Sequence, residues 1–167
     1  AALSGNPDAE ARLDREYTTQ NTLSAQVKVA SGAADRTYIT GKNITVRSGM
    51  KDLYIYNYTN ATTAGFLNFA HAYSDIYFYL NIVTEIGNAH LRAYDALTVL
   101  ADGTPTNSGT HLFAKADTKI TAFAGRVESY ARLFGSATVR VTIANAARIT
   151  GADVRIDRKA FQGNVTL

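Results

Sequence analysis

The stretch ITGKNITVRSG, residues 39–49, decides how the chain is read, because its pattern returns as LRAYDALTVLADG from Leu91 and as ITGADVRIDR from Ile149. In the first copy Ile39, Ile44 and Val46 bracket a polar, glycine-containing corner, and residues 44–47 alternate apolar and polar as a half-buried strand does. Each copy reads strand, tight corner, strand. The second pairs Leu91 and the corner Ala93-Tyr94-Asp95 with Leu97, Val99 and Leu100; the third pairs Ile149 and Gly151-Ala152-Asp153 with Val154 and Ile156. The separations from Ile39 to Leu91 and from Leu91 to Ile149 are 52 and 58 residues, an internal repeat with insertions.

Working outward, VKVASGAADRTYITG at Val27, IVTEIGNAHLRA at Ile82 and VTIANAARITG at Val141 lead into the three copies with the same order of strand, small-residue turn and short strand. Repeats of this length, built of short strands and small corners, predict a solenoid in which one turn of chain cannot bury its Val, Ile and Leu alone but a stack can. At a few strands per turn, each repeat is expected to supply two or three turns. Ile39, Leu91 and Ile149 are predicted to share one ladder, and Ile44, Leu97 and Val154 the next. The domain reading is an N-terminal arm or cap over 1–25 and a repeat domain over 26–167, with units near 26–79, 80–138 and 139–167. The expected fold is all-β, a right-handed parallel β-solenoid, with an antiparallel β-sandwich of a pilus-like subunit as the alternative.

The palette agrees, being rich in Val, Ile, Thr, Tyr and Phe, with no Trp and a single Met. Helix has one candidate, Asp8 to Tyr17, where a preceding proline and early acids fit a first turn; it reads as a short cap or a solvated arm. From Tyr73 to Ile86 the period is two: Ile76, Phe78, Leu80 and Ile82 fall on one face, and Tyr77, Tyr79 and Asn81 on the other.

ITGKNITVRSG with the following KDLYI, ITGADVRIDR and LTVLADG resemble the repeat units of filamentous-haemagglutinin-like and other giant bacterial surface adhesins. The alanine-rich intervals TNATTAG at Thr59 and AKADTKITAFAG at Ala114 resemble the spacers of those repeats. The resemblance runs from about Gln26 onward and implies a right-handed parallel β-helix and an extracellular or cell-surface setting. The second copy departs from it, because Ala93-Tyr94-Asp95-Ala96 puts a bulky residue where such corners often want φ > 0.

Seventeen basic and fourteen acidic residues leave a net charge of +3, too small and too dispersed for a nucleic-acid surface. With no cysteine, disulfides, thiolate metal sites and cysteine nucleophiles are excluded. No run approaches the roughly 18 apolar residues of a membrane helix, and no phosphate-binding or nucleophile-elbow motif is present. No cofactor is expected.

Three groups of side chains are candidates for chemistry. His71, His90 and His111 recur about every twenty residues, which would stack them if a turn were that long, but no metal-ligand motif accompanies them, and no metal is expected. Asp75, Glu85 and Asp95 are evenly spaced, as acid pairs on adjacent turns of polysaccharide-cleaving β-helices are, although acids at turns are ordinary in strand-rich proteins. The tyrosines carry most information. Tyr54, Tyr56 and Tyr58 share one strand face and Tyr77 and Tyr79 another, which reads either as an aromatic platform for sugar rings or a neighbouring subunit, or as strands covered on both sides.

Asn43, Asn57, Asn60 and Asn164 each open an Asn-X-Thr sequon and are candidate glycosylation sites in a host that performs that modification, with Asn57 and Asn60 too close for both to be used. Arg140 and Arg155 alternate with core residues and are expected to point outward.

The function expected is that of a non-catalytic extracellular structural or adhesive module that extends or assembles into a surface fibre. Its partners would be copies of itself, or the rest of a longer repeat protein, and a glycan on the aromatic face. The alternative is a carbohydrate-binding or polysaccharide-cleaving β-helix, with a groove lined by Tyr54, Tyr56, Tyr77 and Tyr79.

Overall fold

The computed structural model describes residues 4–5, 8–13, 22–50, 52–104 and 109–166. In chain order the strands are β1 (Ser4–Gly5), β2 (Asp8–Leu13), β3 (Thr22–Val29), β4 (Thr37–Gly41), β5 (Ile44–Gly49), β6 (Asp52–Ile86), β7 (Ala89–Ala93), β8 (Ala96–Asp102), β9 (Gly109–Ile143), β10 (Arg148–Thr150), β11 (Asp153–Lys159) and β12 (Asn164–Thr166). Every pairing among them is parallel. This overturns the antiparallel sandwich for the described residues. The fold is all-β and solenoid-like, with three sheets ordered β10-β7-β4, β11-β8-β5, and a large one built on β6 and β9 with β1, β2, β3 and β12.

The register carries the repeat directly. Ile39 pairs with Leu91 and Leu91 with Ile149; Ile44 pairs with Leu97 and Leu97 with Val154. One repeat is therefore one turn, not two or three. The first turn is β1–β5, the second β6–β8 and the third β9–β11, and β12 starts a fourth by pairing with residues 111–113. The corner after β3 takes residues 30–36, that after β6 only 87–88 and that after β9 144–147, which is why the repeat spacing is uneven.

The candidate helix at Asp8–Tyr17 is corrected over its described part. Residues 8–13 are strand β2, in register with residues 71–76 of β6, and residues 14–17 lie outside the described residues. Backbone pairing to an existing edge satisfies every second amide and carbonyl there, which outweighs the weak helix signal of a short acidic stretch.

A straight strand of the length of β6 would reach roughly 115 Å. Instead the two halves of β6 face each other. Asn57 Nδ2 donates to the Asp75 carbonyl at 2.9 Å, Thr59 Oγ1 to the Tyr73 carbonyl at 2.8 Å, and Ser74 Oγ to the Asn57 carbonyl at 3.0 Å. The reversal sits at Phe66, where the ladder to β9 skips from Gly65↔Ala122 to Leu67↔Ala124. An outgoing arm, 52–64, and a returning arm, 67–78, thus make a thin fin projecting from a wider body formed by 79–86, β7 and β8.

Side-chain volume matches that outline. Near the fin tip the interior is Ala61, Ala70 and Ala72 with Ala116; at its base it is Leu53, Ile76, Phe78, Leu112 and Ala114. In the body Ile44, Val46, Ile86, Leu91, Leu97 and Val99 fill the space. From residue 67 onward the second turn has paired strands on both sides, and Ile76, Ile82, Ile86, Leu91, Leu97 and Val99 are all 0% exposed. A buried hydroxyl pair crosses the body: Ser48 Oγ meets Thr84 Oγ1 at 2.8 Å, and Thr84 Oγ1 donates to the Leu100 carbonyl at 2.7 Å.

The corners work without the expected left-handed residues. Among described residues only Ala30 and Gly32 have positive φ, at 49° and 70°, both in the long first corner. Tyr94 is accommodated because its N–H donates to the Gly41 carbonyl of the turn beside it, at 3.0 Å. Gly87 serves close approach, since a Cβ there would fall on the Ala30 carbonyl oxygen.

Candidate functional site: the outer aromatic columns

A parallel in-register stack repeats each outward side chain one strand spacing away, about 4.8 Å. Aromatic residues at matching positions must then stack face to face. Tyr54 lies over His111 with ring centroids 5.1 Å apart and Tyr56 over Phe113 at 4.8 Å. On the other side of the fin Tyr73 stacks on Tyr130 at 5.3 Å and Tyr77 on Phe134 at 4.9 Å, while Phe66 stacks on Phe123 at 5.2 Å at the tip.

The five tyrosines singled out above divide between the two arms. Tyr54, Tyr56 and Tyr58 are exposed on the outgoing arm; Tyr77 is half-buried on the returning arm and Tyr79 half-buried where that arm enters the body. The arms meet through their inner residues, so the two sets point away from each other and line two faces. Residues 111, 113, 130 and 134 complete the columns. The signal that finds them is the repeat itself, because Tyr54-Ile55-Tyr56 reads on to His111-Leu112-Phe113 one full turn later.

Beside Tyr56 lies a charged group. Tyr58 Oη donates to Asp117 Oδ2 at 3.2 Å, Lys115 Nζ meets the same oxygen at 2.7 Å, and that ammonium sits 5.6 Å from the Tyr58 ring centre. The Lys115 hydrogen bond holds the Asp117 carboxyl below its ordinary pKa, and partial burial followed by the Asp117 bond pushes the Tyr58 phenol up. A carboxyl with a depressed folded-state pKa contributes stability that is fully present above the ordinary carboxylate value, near 4, and is lost as pH falls through the folded value. We expect a carbon-detected titration to place Asp117 below an ordinary aspartate, and Lys115→Ala to move it back up; an unmoved Asp117 would refute the assignment.

The evenly spaced acids do not converge. Asp75 is fully buried and accepts two bonds from one guanidinium, Arg132 Nε to Oδ1 at 2.8 Å and Nη2 to Oδ2 at 2.6 Å. Glu85 accepts from Ser31 Oγ, and Asp95 sits 3.6 Å from Lys42 Nζ at a corner. The histidines occupy three separate columns: His71 Nε2 is 3.9 Å from Glu128, His90 meets the edge of Tyr38, and His111 stacks on Tyr54. The stacked row is not formed because a turn is nearly three times longer than their spacing. Among the described residues no group of three His, Cys, Asp or Glu is placed to hold a metal ion, and no helix is long and apolar enough to cross a membrane.

Of the sequon residues, Asn43 is exposed and its Oδ1 accepts the Ala96 N–H at 3.2 Å, tying two turns at a corner. Asn57 is half-buried between the arms, and Asn60 is exposed, with its Oδ1 3.4 Å from Thr62 Oγ1. Asn164 opens β12, opposite His111. Arg140 and Arg155 are exposed, and Arg155 pairs with Asp157 at 3.0 Å.

Comparison of the chain with protein-family models, with curated proteins and with solved structures gives no match.

Proposed function

We propose that the chain is a non-catalytic structural module of an extracellular surface fibre, a right-handed parallel β-solenoid of the filamentous-haemagglutinin-like adhesin kind. The observation that carries this reading is the one-turn repeat, which sets identical apolar columns one above another through β4, β7 and β10 and through β5, β8 and β11. Such a stack gains stability with each added turn and grows along a single axis, which suits a spacer or fibre better than a pocket. Right-handedness follows the strong preference of parallel crossovers. The exposed column of Tyr54, Tyr56, His111 and Phe113 is the display face, its rings spaced to lie under a planar or sugar-ring ligand.

Immunogold electron microscopy of intact cells of the encoding organism, with antibody raised against the folded chain, tests this. Gold along fibres outside the envelope is the expected result. Labelling that appears only after lysis would refute the extracellular module.

A further inference from the structure

The outer side of the small sheet β4-β7-β10 takes no part in the aromatic columns of the fin. Ile39, Leu91 and Ile149 turn inward to the body core there, so the alternate residues, Tyr38 and Thr40, His90 and Arg92, Arg148 and Thr150, turn outward. In register they form two columns, one of Tyr38, His90 and Arg148 and one of Thr40, Arg92 and Thr150. These side chains leave the stack sideways, and the middle strand, β7, has a paired neighbour on each side.

None of the six outward positions is acidic. Arg92 and Arg148 are exposed, and neither pairs with a carboxylate among the described residues; the Arg92 guanidinium lies 5.5 Å from the centre of the Tyr94 ring instead. A third cation is fixed at the entrance to the sheet. Arg36 Nε donates to Asn88 Oδ1 at 3.4 Å and its Nη2 to the Ala146 carbonyl at 3.3 Å, so one guanidinium spans all three turns while both of its acceptors are neutral. Asn88 is held in turn, its Nδ2 donating to the Ala34 carbonyl at 3.1 Å. By contrast Arg47 and Arg132 each meet a buried acid of an adjoining turn, Asp102 and Asp75. The acids nearest this face in sequence, Asp35, Asp95 and Asp153, lie at the corners before and after it, and Asp95 is matched by Lys42 at 3.6 Å.

An exposed ring stands among these cations. Tyr38 is 69% exposed and meets His90 edge-on, with ring centroids 5.8 Å apart. Arg148 follows one strand beyond His90, and Arg92 lies diagonally across from Arg148 at about 8 Å between backbones.

We propose that this face binds a polyuronate, a linear polysaccharide carrying a carboxylate on each sugar ring, with one ring against Tyr38 and carboxylates on Arg36, Arg92 and Arg148. The planar fork of arginine matches a carboxylate through two parallel hydrogen bonds, and a tyrosine offers the apolar side of a sugar ring a flat partner. Two features select a saccharide over other polyanions. Three cations spread over about 10 Å are too few for a nucleic-acid duplex, which is gripped through about six to ten phosphates. The outward aromatic groups are Tyr38 and, at the corner, Tyr94, both tipped with a hydroxyl, so the face offers no aliphatic wedge to a lipid layer. This site is separate from the display face of the outgoing arm and depends on neither that face nor the fibre.

Affinity electrophoresis of the full chain in gels cast with polygalacturonate tests it. Wild type should be retarded in that gel, less so as salt rises, and should run freely in a gel holding neutral dextran. Arg92→Gln together with Arg148→Gln should weaken binding about tenfold for each arginine removed. Tyr38→Ala leaves the charge unchanged and should weaken it about fivefold. Lys119→Gln with Arg140→Gln removes the same charge from exposed positions on other faces and should leave retardation as in wild type. An unretarded wild type would overturn the site, and so would equal losses in the two double variants or an unaffected Tyr38→Ala. Retardation by dextran sulfate or single-stranded DNA as strong as that by polygalacturonate would overturn the assignment to a polyuronate. Should the arginine pair fail to fold, titration of oligogalacturonate into wild type, followed by nuclear magnetic resonance, decides. Amide shifts confined to β4, β7, β10 and their corners support the site, and shifts elsewhere or none overturn it. The gold labelling judges the fibre reading separately, so either can fail without the other.

Discussion

Leu97→Asp is expected to abolish the cooperative fold. Leu97 is 0% exposed at the middle of the column Ile44–Leu97–Val154, so the new carboxylate would have apolar neighbours above and below. A buried, unpaired charge costs well over 4–5 kcal/mol, comparable with the whole stability of an ordinary domain. Far-ultraviolet circular dichroism of the variant should show no sheet and no melting transition. A native-like spectrum with a sharp transition would mean that the column is not the core. The same change at Ile44, 8% exposed, should be nearly as severe, whereas at Val154 the half-open environment lets the carboxylate reach water.

The second large effect is asymmetric. Arg132→Ala leaves the Asp75 carboxylate, buried on the same outward face of the returning arm as Tyr73 and Tyr77, without its two guanidinium bonds, and breaking a buried pair from this side costs about 3 kcal/mol. Asp75→Asn removes the buried charge instead, and the Arg132 side chain, 46% exposed, can be rehydrated, so the cost should be about 1 kcal/mol. Urea denaturation of both variants measures the difference. Equal midpoints would show that Asp75 is not held as a buried anion, and combining the two changes should recover part of the Arg132→Ala loss.

The body of the fold was legible because its columns are filled by large aliphatic residues beside polar corners, so Ile39, Leu91 and Ile149 stood out at their spacing. The alternation from Ile76 to Ile82 was equally plain, since one face is apolar and the other is tyrosine and asparagine. The fin was not legible. Its inner residues are Ala61, Ala70 and Ala72 with the hydrogen-bonding Asn57, Thr59 and Ser74, a composition that reads as linker because contrast between faces vanishes when the interior is small and partly polar. Its bend at Phe66 carries one glycine and no proline, and the strand pattern runs through it unbroken.

Missing that reversal made a turn look short, which in turn suggested a histidine row and acids on adjacent turns. Asp75 read as an ordinary turn acid because its partner, Arg132, lies one full turn away in sequence. For the aromatic site, the outgoing and returning tyrosines were each found, while their separation onto opposite faces depended on the reversal.

The pairing of β6 with β9 has a consequence for how the molecule is made. Each ladder joins residues 57 apart, about a third of the chain, and the other sheets join residues at nearly the same distance. No backbone bond of any sheet can close until a whole further turn has been synthesised. Mean contact separation on this scale exceeds that of the slowest small β-domains, so the search is long and the closure entropy is committed before any ladder rewards it. A nascent chain halted after the first turn would hold a set of bare strand edges, since every partner of those strands lies in residues not yet made.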